Sequence, residues 1–104
     1  MIRGVEMRVG RVIEAYRHPR ARKPAYVLKI DFGEYGVKTS SAQITERYTP
    51  EDLVGKLVVC VVNLPPKNIA GVVSEVLVLG VPDENGRVVL LSPDDEVPLG
   101  AEVF

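Results

Sequence analysis

Apolar and polar residues alternate with a period of two over most of this chain. Val5, Met7 and Val9 share one face of a first strand, and the pattern changes phase between Gly10 and Val12-Ile13. A glycine inside a strand at a phase change predicts a bulge or a sharp bend. Ala25 to Phe32 reads as a second strand. Gly33-Glu34-Tyr35-Gly36 reads as a turn, and Val37 to Ala42 as a third strand ending in Ser40-Ser41. One short helix is predicted after Thr49, an N-cap candidate. Pro50 suits its first position, Glu51 and Asp52 favour the positive end of its dipole, and Gly55 stops it. Lys56 to Asn63 is a fourth strand and Ser74 to Val81 a fifth. Asp83-Glu84-Asn85-Gly86 predicts a hairpin turn, with Val88 to Leu91 pairing back.

Three strands, a short helix and two more strands is the order of an all-β OB-fold, a five-stranded Greek-key barrel with its helix between strands 3 and 4. The barrel is expected over about 5–81 of a single 1–104 domain, with the ends and the 82–104 hairpin as extensions. Such barrels bind ligands on strands 2 and 3 and the adjacent loops. That face would carry Phe32, Lys38, Ser40, Ser41 and the 63–71 loop. The loop is stiff, because Pro65 and Pro66 fix φ and hold the residues before them extended. A rigid connector with a capping Asn63 is the plainest account of it. A stiff loop carrying Asn63, Lys67 and Ser74 between core strands also suits a binding role. The chain ends on apolar Val103 and Phe104, so its tail should dock, on its own barrel or on a second subunit.

Composition narrows the classes. The 104 residues are 46% hydrophobic and 26% charged, with 19 Val and no Trp, as expected of a strand-rich globular chain. No apolar run approaches the ~20 residues of a membrane helix, and Met1 to Glu6 lacks the apolar core of a signal peptide. A single cysteine, Cys60, excludes an internal disulfide and fits a reducing cytoplasm. Within Val58-Val59-Cys60-Val61-Val62 it reads as a small buried hydrophobe. One His and one Cys do not make an ordinary zinc site. No nucleophile–base pair, metal set or phosphate-cradling glycine loop is visible, and Asp94-Asp95-Glu96 reads as a solvated turn. A non-catalytic protein without cofactor or metal is therefore expected.

Net charge is −1, against a generic nucleic-acid binder, but its distribution is uneven. Residues 1–38 hold nine Lys/Arg against four Asp/Glu, and residues 39–104 hold four against ten. Such asymmetry points to a polyanion-facing surface. The basic residues peak at Arg17, Arg20, Arg22 and Lys23, in a proline-bracketed loop fit to contact phosphates or acidic side chains.

Four stretches carry a family resemblance: Ile30-Asp31-Phe32-Gly33, Lys38-Thr39-Ser40-Ser41-Ala42-Gln43-Ile44-Thr45, Val61-Val62-Asn63-Leu64-Pro65-Pro66, and Ile69 to Gly80. Together they resemble the CsaA export-chaperone family. That family belongs to a larger group of tRNA-binding OB domains, which includes C-terminal extensions of methionyl-tRNA synthetases. The Ser-Ser-Ala-Gln-Ile-Thr run and the Asn-Leu-Pro-Pro loop are particular to the CsaA branch. The resemblance implies a cytoplasmic homodimer whose chain ends meet across a two-fold axis, here Val97, Leu99, Val103 and Phe104. It implies binding of unfolded or export-bound polypeptides, with tRNA as the alternative ligand and no membrane insertion.

In the tRNA-binding relatives a serine and a methionine matching Ser74 and Leu77 help hold tRNA. Ser74 is retained, whereas Leu77 replaces the methionine. On one ideal strand residues three apart face opposite sides, so one of the two must sit at a bend or act indirectly. The expected peptide site has an apolar floor of Phe32, Ile69 and Ala70 and a polar rim of Ser40, Ser41, Gln43, Asn63 and Ser74. Pro66 and Leu77 lie alongside, with Lys38, Lys67 and the Arg17, Arg20, Arg22 and Lys23 loop as basic flanks. On the RNA alternative the same cations would meet phosphates.

Overall fold

The computed structural model describes residues 4–104; the N-terminal extension expected over 1–4 lies outside them, Gly4 apart. Five strands form one antiparallel sheet in the order β3-β2-β1-β4-β7. These are β1 (Met7–Arg17), β2 (Tyr26–Asp31), β3 (Val37–Ala42), β4 (Leu57–Val61) and β7 (Leu77–Val78). Two further hairpins are made by β5 (Lys67–Ile69) with β6 (Val72–Ser74), and by β8 (Gly80–Pro82) with β9 (Val88–Leu90). The sheet curls into a nearly closed barrel, and the architecture is that of the OB-fold.

β1 serves two neighbours. Its Met7–Arg11 half pairs with β4, and its Arg11–Arg17 half pairs with β2. The register with β2 slips between Val12 and Glu14, the bulge that the phase change predicts. Gly10 lies just before it for a steric reason. A Cβ there would stand 2.5 Å from Ile30 Cγ2 and 2.8 Å from the Phe32 ring, so β1 crosses the core at a point with no room for a side chain. Val12, Leu28, Ile30, Phe32, Leu53, Val58 and Cys60 fill that core.

The helix α1 (Pro50–Leu53) closes one end with Leu53. Its cap is reciprocal: Asp52 N–H donates to Thr49 Oγ1 at 3.2 Å, and Thr49 N–H donates to Asp52 Oδ2 at 3.1 Å. Those bonds hold the Asp52 carboxyl below its ordinary pKa.

Three expectations need correction. The fourth strand stops at Val61, not Asn63. The stretch 63–71, expected as a loop throughout, contains β5 and ends in the turn of the β5–β6 hairpin. Ala70 (φ 49°) and Gly71 (φ 92°) are both left-handed, the pairing a two-residue hairpin turn needs. The predicted fifth strand, Ser74 to Val81, is broken: Ser74 ends β6, the chain bends at Glu75-Val76, and β7 and β8 follow.

The C-terminal tail docks on its own barrel. Val9 and residues near the end exchange bonds (Gly100 N–H to Val9 O, 2.8 Å; Val9 N–H to Ala101 O, 2.9 Å), and Val103 N–H donates to Met7 O at 2.9 Å. The tail thus occupies the edge of β1 that β2 leaves unpaired. Val97, Leu99 and Val103 are half-buried, while Phe104 is 97% exposed. No helix among the described residues is long and apolar enough to cross a membrane.

Candidate binding site

The site begins at a seam. β2 satisfies one edge of β3 along its whole length. On the other edge a two-residue segment, Ser74-Glu75, stands in for a strand. Glu75 N–H donates to Thr39 O at 2.7 Å, Thr39 N–H donates to Glu75 Oε1 at 3.0 Å, and Ser41 N–H donates to Ser74 Oγ at 3.0 Å. The Ser74 hydroxyl in turn donates to Val76 O at 3.4 Å. Side-chain oxygens therefore occupy acceptor positions that a ladder would fill with carbonyls. The barrel closes here without a continuous strand, and the surface beside the seam is indented.

Three clefts meet at Ser41. One, of about 260 Å³, is lined by Leu64, Pro65, Lys67, Ile69, Ser74, Glu75, Val76 and Leu77. A second, of about 370 Å³, runs between Ala21, Arg22, Lys23 and Ala25 on one wall and Ile69 and Ala70 on the other, with Gln43 beside Ser41. The third, also about 370 Å³, lies among Ala42, Gln43, Ile44, Leu77, Val78, Gly80 and Val88. Aliphatic side chains form most of the walls. Cations stand at two places, Lys67 and the Arg22-Lys23 pair, and the one carboxylate, Glu75, is already bonded to Thr39.

Ser41, Gln43, Lys67, Ile69, Ala70, Ser74 and Leu77 thus come together, with Arg22 and Lys23 of the basic loop. The bend between β6 and β7 explains how Ser74 and Leu77, three apart, line one cleft.

Other expected members are elsewhere. Phe32 is 1% exposed, packed under Gly10 as core rather than as an open floor. Ser40 is also 1% exposed; its side chain faces inward and its hydroxyl has no hydrogen-bond partner. The reason is the strand period, since Ser41 faces the clefts and its neighbour must face the core. Asn63 accepts from Glu6 N–H at 2.9 Å and donates to Gly4 O at 3.4 Å, stapling the loop to the start of the chain as the plainest account had it. Lys38 lines a separate cavity of about 220 Å³ with Glu6, Arg8, the edge of Phe32, Tyr35 and Val62. There the Arg8 guanidinium stacks 3.9 Å from the Tyr35 ring centroid. Pro66 is exposed between two cleft residues. The Arg17 guanidinium lies 5.9 Å from the Tyr26 ring centroid, and Arg20 is exposed.

Sequence reasoning passed over Leu64, Pro65, Ile44 and Val78 as lining residues. Leu64 had a readable signal, a leucine set between Asn63 and two prolines in a stiff loop. Cys60 is unfit for chemistry, because burial pushes its thiol up to about 12. No group of metal-ligating side chains occurs among the described residues.

The family model described as "Putative tRNA binding domain" matches residues 7–102. The chain belongs to this tRNA-binding domain family. Within it the chain falls with the CsaA branch. It is 55% identical to the chaperone CsaA of Bacillus anthracis, whose crystal structure superposes with a TM-score of 0.90 over 96% of this chain and 91% of that one. The CsaA chaperone protein of Picrophilus torridus is 47% identical, with a TM-score of 0.90 over 97% of this chain and 92% of that one. The methionine–tRNA ligase of Pyrococcus abyssi is 44% identical over 99 residues, 95% of this chain and 13% of the ligase. The chain therefore spans about an eighth of the length of the curated relatives it matches.

Proposed function

We propose that this protein is a non-catalytic chaperone that holds unfolded or export-bound polypeptides in the clefts that meet at Ser41. The observation that carries this reading is the shape and chemistry of the seam. Three adjoining, mainly aliphatic clefts surround a short polar strip made by Ser41, Gln43 and Ser74. Apolar side chains of an extended segment enter the clefts, while its amides pair with the strip. Arg22, Lys23 and Lys67 favour clients with acidic residues next to apolar ones. The likeness to two CsaA chaperones over nearly the whole chain supports the same reading.

Single clefts of this size hold a client weakly, so two sites in a homodimer would raise the avidity. Residues 82–104 are proposed as the dimerisation extension of the 5–81 barrel, with Val97, Leu99, Val103 and the exposed Phe104 at the two-fold interface. The cytoplasm is the proposed compartment.

A second reading, tRNA bound on the same face, has one specific observation behind it: Arg22, Lys23 and Lys67 line the clefts, in a chain of the tRNA-binding domain family. Against it, Leu77 stands where the tRNA-binding relatives carry methionine, and no aromatic side chain lines the three clefts for a base to stack on.

Anisotropy titrations against an unfolded acidic–apolar polypeptide and against folded tRNA, each at low and high salt, separate the two. Saturable peptide binding that persists in salt, with weak tRNA binding, is the expected result. Tight tRNA binding that falls steeply with salt, without peptide binding, would sink the chaperone reading.

A further inference from the structure

His18, the chain's single histidine, is 5% exposed where the basic loop leaves β1. Both of its ring nitrogens are engaged. Nδ1 lies 3.0 Å from the backbone N–H of Arg20, and Nε2 lies 2.8 Å from the carbonyl oxygen of Ile69. A backbone N–H can only donate and a carbonyl can only accept. Nδ1 therefore carries the lone pair and Nε2 the proton, so the ring is neutral and in one tautomer. The backbone N–H of His18 also donates to Ala25 O at 2.9 Å, closing the base of the loop. The ring thereby joins two segments from distant parts of the chain, the 18–25 loop and the tip of the β5–β6 hairpin. Those same segments are the two walls of one cleft, with Arg22 and Lys23 on one side and Ile69 and Ala70 on the other.

We propose that His18 is a positioning residue for this cleft, a latch that when neutral holds the basic loop against the hairpin tip and when protonated releases it. The proposal rests on the binding role of the cleft given above. Protonation puts a second N–H on Nδ1, pointing at the N–H of Arg20. Two donors then face each other, the bond is lost, and the loop loses its inner anchor. The charged groups on the segments that meet at the ring are Arg17, Arg20, Arg22 and Lys23 on the loop side and Lys67 on the hairpin. Tyr16 and Tyr26 are the other titratable groups there. Every charge among them is positive, so an imidazolium gains no carboxylate partner from them and adds to a cationic cluster. Beyond these segments, Glu75 is committed to Thr39, and Glu14 is exposed on β1. A latched loop presents Arg22 and Lys23 already ordered, which removes part of the entropy cost of binding an acidic segment.

The test uses the full chain labelled with ¹⁵N, acidified from about pH 8 until the ring signals report protonation. At the alkaline end the ring should show the Nε2–H tautomer. On acidification, ring protonation and the amide shifts of Arg22, Lys23 and Ala70 should follow one transition. His18→Gln keeps an acceptor and a donor at the end of a similar side chain. Its amides should hold their alkaline positions without that transition, whereas His18→Phe should displace them at every pH.

A fluorescein-labelled peptide of alternating Glu and Leu is the binding probe. Its affinity for the wild type should fall about fivefold more than for His18→Gln over the same range, the equivalent of one ordinary hydrogen bond. The peptide's own titration is common to both chains and cancels. An Nδ1–H tautomer at the alkaline end, or amides that ignore the ring, overturns the latch. Equal pH dependence of peptide binding in the two chains overturns its role in binding and leaves the chaperone reading standing. Coupled amide shifts with no peptide binding by either chain keep the latch and sink the chaperone reading instead.

Discussion

The wall made by β1, β2 and β4 and the stretch from Val62 to Pro82 enclose the same core by different means. In the wall, long strands pair continuously apart from the one bulge in β1, and their Val12, Leu28, Ile30 and Val58 are fully buried. In the stretch, short strands are separated by a bend, and Ser74 Oγ and Glu75 Oε1 take positions that backbone carbonyls hold elsewhere. No residue of β1, β2 or β4 lines the three clefts that meet at Ser41, whereas the stretch borders all of them. Ladder continuity stabilises the barrel, and its interruption makes a surface. That division explains why Phe32, under the wall, packs the core, while Leu77, 49% exposed beyond the bend, faces outward.

The comparison breaks first at Phe32. Phe32→Ala removes a ring at the centre of the core and should cost about 3–5 kcal/mol in urea unfolding. The fraction still folded should bind peptide nearly as well as the wild type. A stable Phe32→Ala protein that no longer binds would return Phe32 to the floor of the site.

At the seam, Ser74→Ala deprives the Ser41 N–H of its acceptor, a loss of about 1–2 kcal/mol by the same measurement. Peptide affinity should drop with it, because the strip between the clefts loosens. Unchanged stability would mean that the seam does not depend on the serine hydroxyl.

Cys60 tests the wall through pH. Burial raises its thiol from 9.0 to about 12, so the unfolded chain ionises first. The stability tied to the neutral thiol is fully present below pH 9 and is lost as pH rises toward 12, by at most about 1.4 kcal/mol per pH unit. Between about pH 8 and 10, the stability of wild type relative to Cys60→Ala should fall by about 1 kcal/mol in urea midpoints. A constant difference would place the thiol in contact with water.

The smallest effect belongs to Ser40. Its hydroxyl is buried without a partner, so Ser40→Ala should be neutral or stabilising by up to about 1 kcal/mol and leave peptide affinity alone. A loss of affinity would contradict its inward placement.

What was legible in the chain was local. The Thr49 cap needs only its own four residues, and the Gly10 bend shows as a phase change within one strand. Strand order followed from such local signals, and with it the barrel. What stayed hidden depends on partners far along the chain. In Val37-Lys38-Thr39-Ser40-Ser41-Ala42 both faces read as polar or small, so the pattern does not say which serine turns inward. Ala70-Gly71 lacks the asparagine that usually marks a two-residue hairpin turn, and three-residue strands are too short to show a period. The sequence pattern alone puts Phe32 on the binding face, because its burial comes from Gly10, a residue whose missing side chain makes the room. The basic loop was visible as charge, but its attachment through His18 to Ile69 spans 51 residues.

The most direct test of the central claim is a two-dimensional amide titration of the ¹⁵N-labelled protein with the unlabelled Glu–Leu peptide. Saturable shifts are expected at Arg22, Lys23, Ser41, Gln43, Ile69, Ala70 and Leu77, with the tail and the Arg8–Tyr35 cavity unmoved. Shifts confined to that cavity and the tail, with the residues around Ser41 silent, would contradict that claim.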